Sequence, residues 1–377
     1  MRGPDVFVVA DNVFTPLGKT TAENFSNLKK NLSAVKEHRD ATISKQPFYA
    51  ALFDKNESLL SNAKDYTKFE QLLIASIEDA LEQNRLNASD KKTVLIISST
   101  KGNISLLETE KNSAELHNRI ALSTSAKLVA EYFGFVNQPV IISNACVSGV
   151  MAIITGMRLL RTGQYENAVI AGADVISEFI LSGFQSFQAL SPQVCKPFDK
   201  SRDGLNLGEG AGTIILSNQT KYVGNIKVKG GGVSNDANHI SGPSRTGQEL
   251  SYGINQALKD AGITTSGIDF ISAHGTATIY NDEMEANAIA LSGLETTPLN
   301  SLKGYYGHTL GSAGLIESII SIESLKEDFF LPTMGFKERG VNQSVNVMAS
   351  PLHLKAGNIL KTASGFGGCN AAVVFGK

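Results

Sequence analysis

At 377 residues, with 42% apolar and 19% charged side chains, 35 glycines and no tryptophan, the chain has the profile of a loop-rich α/β protein, long enough for two or three domains or one large one with two halves. A net charge of −2, with Lys and Arg scattered along the sequence, argues against nucleic acid or an anionic membrane surface as a partner. Cysteines at 146, 195 and 369 form no CxxC or other short ligand spacing, which argues against a disulfide framework and a zinc site and for free thiols in a reducing compartment. The apolar stretch in "MRGPDVFVVADNVF" is too short for the core of a signal peptide, and no run approaches the ~18 apolar residues of a membrane span, so a cytoplasmic location is expected.

Taken in chain order, "DVFVVA" at 5–10 reads as a strand. The next residues set a trap. Gly18, Lys19 and Thr20 before a helical stretch look like the tail of a phosphate loop, but the first glycine of GxxxxGK[ST] is replaced by Val13, and Pro16 removes a backbone donor. A turn and a helix cap are expected instead. "TKFEQLLIASIEDALEQ" predicts a helix with Phe69, Leu72, Leu73, Ile77 and Leu81 on one face. The runs "TVLIIS" at 93–98, "QPVIIS" at 138–143, "NAVIAGA" at 167–173 and "GTIIL" at 212–216 are β-branched strands, and their alternation with helices implies parallel sheets with crossover connections.

After about residue 218 the order of elements starts again: "NIKVKGGGVS" as strand, "GQELSYGINQALKDAG" as helix, "IDFISAH" as strand. "TPLNSL" then leads into "GHTLGSAGLIESIISIESLKED" as "QPVIIS" leads into "ACVSGVMAIITGMRLLRTG", and the closing "GFGGCNAAVVFG" stands for the last strands of the first half. Two pseudo-equivalent halves are expected, 1–220 and 221–377, joined near 217–224.

Cys146 sits at the junction of strand and helix in "IISNACVSGVMAI", where the positive end of the helix dipole is expected to lower its pKa and favour the nucleophilic thiolate. His274 ends "IDFISAH" and His308 opens a helix in "KGYYGHTLGSAG"; both stand at carboxyl ends of strands, where open α/β sheets assemble their sites. His38, His117, His239 and His353 lie in polar or loop contexts and read as surface or structural residues. One thiol with two imidazoles suits condensation: the thiol carries an acyl group, and two neutral N–H donors stabilise charge on a second thioester carbonyl.

Together these segments resemble the elongating β-ketoacyl-[acyl-carrier-protein] synthases of the thiolase-like superfamily. "NACVSG" is similar to that family's nucleophile elbow, "PFDKSRDGLNLGEGAG" at 197–212 to its mid-chain signature, and "SAHGTAT" to its first histidine motif. "SLKGYYGHTLGSAGLIE" is similar to its Lys…Gly-His segment, "SGFGGCNAAVVF" to its carboxyl-terminal glycine loop, and "FTPLG" at 14–18 to its opening turn. The resemblance implies an α/β thiolase-like fold, with two pseudo-duplicated halves in a five-layered αβαβα arrangement. It also implies decarboxylative Claisen condensation of an acyl group held on Cys146 with malonyl-[acyl-carrier-protein], in fatty acid, polyketide or polyene synthesis. In that scheme His274 and His308 act in decarboxylation, Lys303 orders the site with Glu317 as its ionic partner, and Phe366 gates the acyl pocket. The Phe366 backbone N–H pairs with that of Cys146 as an oxyanion hole, and Thr276 and Thr278 hydrogen-bond the phosphopantetheine arm. No cofactor of its own is implied beyond the phosphopantetheine that the acyl carrier protein brings, and no metal. The implied partners are that carrier protein and a second subunit, in a homodimer or a heterodimer with a related ketosynthase-like chain.

Three features depart from the family pattern: Tyr305 and Tyr306 in "KGYYGH", Cys369 in the glycine loop, and a short segment from Ser99 to Leu122 beside the acyl pocket. A thiolase-type acyltransferase fits less well, because Cys369 follows the glycines and thiolases lack the "AHGT" histidine. A non-catalytic chain-length-factor-like subunit would lack the nucleophile that Cys146 supplies.

Overall fold

The computed structural model describes residues 3–55, 57–60, 65–222, 224–238 and 241–377. Ten strands form its central sheet: β1 Phe7–Phe14, β2 Thr93–Ser98, β3 Val140–Ile142, β4 Asn167–Asp174, β5 Gly210–Ser217, β6 Ile226–Asn235, β7 Phe270–Ser272, β8 Leu299–Asn300, β9 Asn358–Gly365 and β10 Cys369–Gly376. Their spatial order is β3-β2-β4-β5-β1-β6-β10-β9-β7-β8. The second five therefore mirror the first. In each set three strands run parallel and the other two pairings are antiparallel, β4 with β5 and β5 with β1 in the first, β9 with β10 and β10 with β6 in the second. The sets meet where β1 and β6 pair over Phe7↔Lys227 and Val8↔Ile226 alone.

Six helices complete the repeat: α1 Lys68–Asn84, α2 Leu122–Phe133 and α3 Ser148–Arg161 in the first half, then α4 Gln248–Ala261, α5 Ile279–Leu291 and α6 Ala313–Glu327. α1 covers β1, β4 and β5 from outside, and α4 covers β6 and β10. Between the sheets, α3 and α6 pack on each other, and each touches strands of both sets. This is the five-layered αβαβα arrangement of the thiolase-like fold.

Patterning explains which helix goes where. α1 is amphipathic and opens on a capping box, Thr67 with Glu70, as its boundary demands. Phe69, Leu72, Leu73 and Ile77 are buried, while Leu81 is only half-buried where the helix leaves the sheet. α6 is apolar all round, and every residue from Ala313 to Leu325 except Glu323 is buried. Its serines satisfy themselves on the preceding turn: Ser318 donates to Gly314, Ser321 to Glu317 and Ser324 to Ile320.

Two local expectations need correction. The counterpart of β4 is β9, "NILKTASG", so "GFGGCNAAVVFG" supplies only a turn and β10. Lys361, Thr362 and Ser364, all buried, disguise β9 as a loop. His308 does not open α6 but precedes it, in a turn between the short helix Lys303–Tyr306 and the 3-10 turn Leu310–Ser312. The suspected phosphate loop is the expected turn: Thr15 and Gly18 exchange backbone hydrogen bonds, and Thr20 caps the helix Thr21–Lys29.

The central layer depends on close approach of α3 and α6. A Cβ added at Gly149 would lie 2.6 Å from the Leu315 amide nitrogen and 2.9 Å from its Cβ, so the helices cannot keep this spacing around a side chain. Gly149→Val should therefore destabilise the protein by roughly 1–3 kcal/mol or more, visible as a fall of several degrees in melting temperature. Gly183→Ala is the control, since nothing lies within 4 Å of its Cβ position and the residue is helical; it should leave the melting temperature level or slightly raised.

Candidate active site

The chain turns sharply between β3 and α3. Ala145 takes φ 45°, and Ser148 braces the turn by accepting from the Asn144 amide at 2.8 Å and donating to the Ala145 carbonyl at 2.6 Å. That turn aims Cys146, 9% exposed, into a cavity of about 370 Å³. Gly365 backs it closely: a Cβ there would lie 2.9 Å from the Cys146 nitrogen.

His274 stands just beyond β7 in a loop strapped to α5 by two buried carboxylates. Glu285 accepts from the amides of His274 and Gly275 at 2.8 and 2.7 Å, and Asp282 accepts from those of Thr276 and Ala277 at 2.9 and 3.2 Å. His308 is held by its backbone against the mid-chain signature, donating to Asn206 at 2.6 Å and accepting from Gly208 at 3.0 Å. The two rings meet edge to face, with centroids 5.2 Å apart. Cys146, His274, His308, Thr276, Thr278 and Phe366 all line the one cavity. The Thr276 and Thr278 hydroxyls are 2.8 Å apart.

Lys303 lies behind the rings, fully buried, with Nζ 2.7 Å from the His274 carbonyl, 2.6 Å from Glu317 Oε1 and 3.5 Å from His274 Nδ1. Phe366 lies over the cavity on the β9–β10 turn, where Gly367 and Gly368 take φ 83° and 78°. Its ring stacks on Phe184 at 5.8 Å and meets the edge of Phe187 at 5.4 Å.

The family profile for "Beta-ketoacyl synthase, N-terminal domain" matches residues 4–221, and that for "Beta-ketoacyl synthase, C-terminal domain" matches residues 226–337. The chain belongs to the β-ketoacyl synthase family. Among curated relatives, 3-oxoacyl-[acyl-carrier-protein] synthase 2 of Vibrio harveyi is 28% identical over 407 residues, covering 99% of this chain and 98% of its own. A solved ketosynthase in complex with its chain length factor, from Xenorhabdus doucetiae, matches at TM-score 0.88 and 25% identity over 99% of this chain and 98% of that one. The ishigamide ketosynthase/chain length factor matches in fold at TM-score 0.90 and 24% identity, over 100% of this chain and 99% of that one.

The electrostatics of this β-ketoacyl synthase differ from the sequence expectation at the thiol. Burial pushes Cys146 up to about 12, against the pull of Lys303 and the Phe366 amide. The cysteine precedes α3, which begins at Ser148, and the loss of water outweighs the dipole. Burial first, and Lys303 second, hold His274 and His308 well below the ordinary histidine value, so both imidazoles are neutral at neutral pH. Since an ammonium can only donate, Lys303 Nζ at 3.5 Å from His274 Nδ1 favours the tautomer with the ring proton on Nε2.

Several residues of the site escaped the sequence reading. Lys361, fully buried on β9, reaches Glu317 Oε2 at 2.6 Å and the Ala273 carbonyl at 3.0 Å. Asp174, which burial pushes up to about 6, accepts from Ser99 Oγ at 2.9 Å and from the Ser312 amide at 3.2 Å, tying the start of α6 to the 99–122 segment. That segment forms the short helices Leu106–Thr109 and Ala114–Ile120, and Arg119 grips the buried Glu70 of α1 with both guanidinium nitrogens. Asp282 and Glu285, spaced i and i+3 straight after "AHGTAT", were the clearest available signal.

The departures are accounted for in part. Tyr305 and Tyr306 are buried away from the cavity; Tyr305 bonds Asn31 and the Pro332 carbonyl, whereas the Tyr306 hydroxyl has no partner among the described residues. Cys369 donates to Asn144 Oδ1 at 2.8 Å, linking β10 to the elbow. His38 bonds the Ala50 carbonyl in a small outer sheet, His117 and His353 are exposed, and His239 lies outside the described residues.

A thiol raised by burial stays protonated through neutral pH. Alkylation of Cys146 by iodoacetamide should accelerate about tenfold per pH unit from 7 to 9, with no plateau. A plateau below pH 8, followed by mass spectrometry of the labelled peptide, would show that the helix terminus dominates after all.

Proposed function

We propose that the protein condenses an acyl group held on Cys146 with malonyl-[acyl-carrier-protein], releasing carbon dioxide and 3-oxoacyl-[acyl-carrier-protein]. Residues 1–220 supply the nucleophile and residues 221–377 both imidazoles. The observation that carries this reading is the pair of neutral imidazoles 5.2 Å apart, facing one cavity with a single thiol.

In the first half-reaction the acyl thioester, delivered on phosphopantetheine, is attacked by the Cys146 sulfur, whose proton passes to the departing pantetheine sulfur. The oxyanion is held by the amides of Cys146 and Phe366, and the carrier thiol leaves. Thr276 and Thr278 hydrogen-bond the arm along the cavity wall. In the second, the malonyl thioester carbonyl accepts N–H bonds from His274 and His308. The C–C bond to the carboxylate breaks, carbon dioxide departs, and the resulting enolate carbon attacks the acyl carbonyl and expels the Cys146 sulfur. Lys303 keeps the His274 proton on the nitrogen away from itself. The chemistry needs no metal or cofactor of the protein's own, because preorganised donors supply the charge stabilisation. The partners are an acyl carrier protein and a second subunit, and the working compartment is the cytoplasm. Solved relatives paired with a chain length factor support a heterodimer, with this chain as the active member because it carries Cys146 and both histidines.

The two half-reactions separate by mutation. Cys146→Ala should still release carbon dioxide from labelled malonyl-carrier protein while accepting no acyl label. His308→Ala should keep its label yet decarboxylate about a hundredfold or more slowly, for loss of one preorganised donor worth ~2.7–4 kcal/mol. An acyl label that survives Cys146→Ala, or decarboxylation by His308→Ala at the parent rate, would sink the assignment.

Phe366 offers a second test, because its ring rests on two others rather than standing free. Phe366→Ala should broaden the range of acyl lengths that label Cys146 more than it slows carbon dioxide release. Equal loss of both would remove the gating role.

A further inference from the structure

Beyond the residues that face the cavity, β9 carries a side chain that no step above employs. Lys361 is completely buried, and its ammonium stands 2.6 Å from Glu317 Oε2, on the side of that carboxylate opposite Lys303. It also donates at 3.0 Å to the carbonyl of Ala273, the residue immediately before His274. Its neighbour Thr362 donates to Glu285 at 2.6 Å, and Glu285 in turn accepts from the His274 amide. β9 thus grips the His274 loop from both sides of one peptide.

A buried ammonium costs several kcal/mol to desolvate, and a hydrophobic residue would fill a strand position more cheaply. Two features make it more than a packing accident. Glu317 has a cation on each oxygen, so its plane is fixed, and with it the position of Lys303 behind the His274 ring. And Lys303, Lys361, Glu317 and Glu285 form a balanced set of two positive and two negative groups.

We propose that Lys361 is a positioning residue for decarboxylation, acting on His274 through Glu317–Lys303 and through the Ala273 carbonyl. This rests on the condensation reading above. Lys361→Met keeps the chain's length and removes its charge and its donors. The variant should accept a full acyl label on Cys146 and release carbon dioxide tenfold or more slowly than the parent.

A third readout separates positioning from bulk stability: the Cε1 resonance of His274 in protein labelled with 13C-histidine, assigned by its absence from His274→Ala. The titratable groups around that ring are His308, Cys146, Lys303, Glu317, Glu285 and Asp282, and none of them is altered. Loss of one nearby positive charge should raise the pH at which His274 protonates. Decarboxylation at the parent rate, an unmoved midpoint, or a parallel fall in label and carbon dioxide with a lower melting temperature would each overturn the proposal. If Lys361→Met does not fold, the balanced variant Lys361→Met/Glu317→Gln replaces it. Carbon dioxide release should then lie within twofold of Glu317→Gln alone, whereas a further tenfold loss would show Lys361 acting elsewhere and overturn the proposal. Failure of the parent itself to take label or release carbon dioxide would instead overturn the condensation reading.

Discussion

Glu317 holds two fully buried ammonium groups, each at 2.6 Å, from a helix that is sealed on nearly every side. Such an array is poor evidence of net stability, since desolvating the charges consumes most of what their attraction returns. What it secures is geometry. Removing one member leaves an uncompensated charge in the buried interior, at a cost of about 3–5 kcal/mol, so the surrounding backbone has one arrangement that satisfies the set. That arrangement places the His274 carbonyl on Lys303, the Ala273 carbonyl on Lys361, and the ring between them and the cavity.

The array can exist only because of the duplicated architecture. α3 and α6 form a shared layer between two five-stranded sets, which gives a helix that is surrounded on all sides and can therefore carry a buried carboxylate. The close contact at Gly149 draws the start of α3, and Cys146 just before it, against α6. The thiol then comes from one half of the chain and both imidazoles from the other. Cys146 and His274 arrive on loops just beyond β3 and β7, braced by the side chains of Ser148 and of Asp282 and Glu285, while His308 follows the short helix Lys303–Tyr306 and is held by the backbone of Asn206 and Gly208.

Cys146, His274 and His308 were legible because their loops need small residues and unusual backbone angles, which leave a mark in the sequence: "NACVSG", "SAHGTAT", "YYGHTLGSAG". The alternation of strands and helices announced the two halves, with α1 readable from its period. The supporting polar residues were not legible. Lysine, glutamate and aspartate are usually solvated, so nothing in "NILKTASG" distinguishes Lys361 from a surface residue until the neighbouring carbonyls are in place, and Asp282 and Glu285 offered only their i, i+3 spacing after "AHGTAT". For the same reason β9 escaped notice as a strand. The thiol's environment was misjudged on similar grounds: the helix terminus is visible in sequence, but the burial that outweighs it comes from β9 and the glycine turn, far along the chain.

These features share a consequence for the chemistry. The three proposed reacting groups are neutral at rest, a protonated thiol and two uncharged imidazoles, while Lys303, Lys361, Glu317 and Glu285 stand behind them and outside the cavity lining. With Lys303 against Nδ1 of His274 and the proton on Nε2, that ring presents a donor and no lone pair to the bound thioester. A donor strengthens as an enolate oxygen gains charge but cannot draw a proton from water, so in the reaction proposed above His274 would favour decarboxylation over hydrolysis of an acyl group held on Cys146. Selectivity for carbon over water as the nucleophile then follows from where the buried lysines hold one proton.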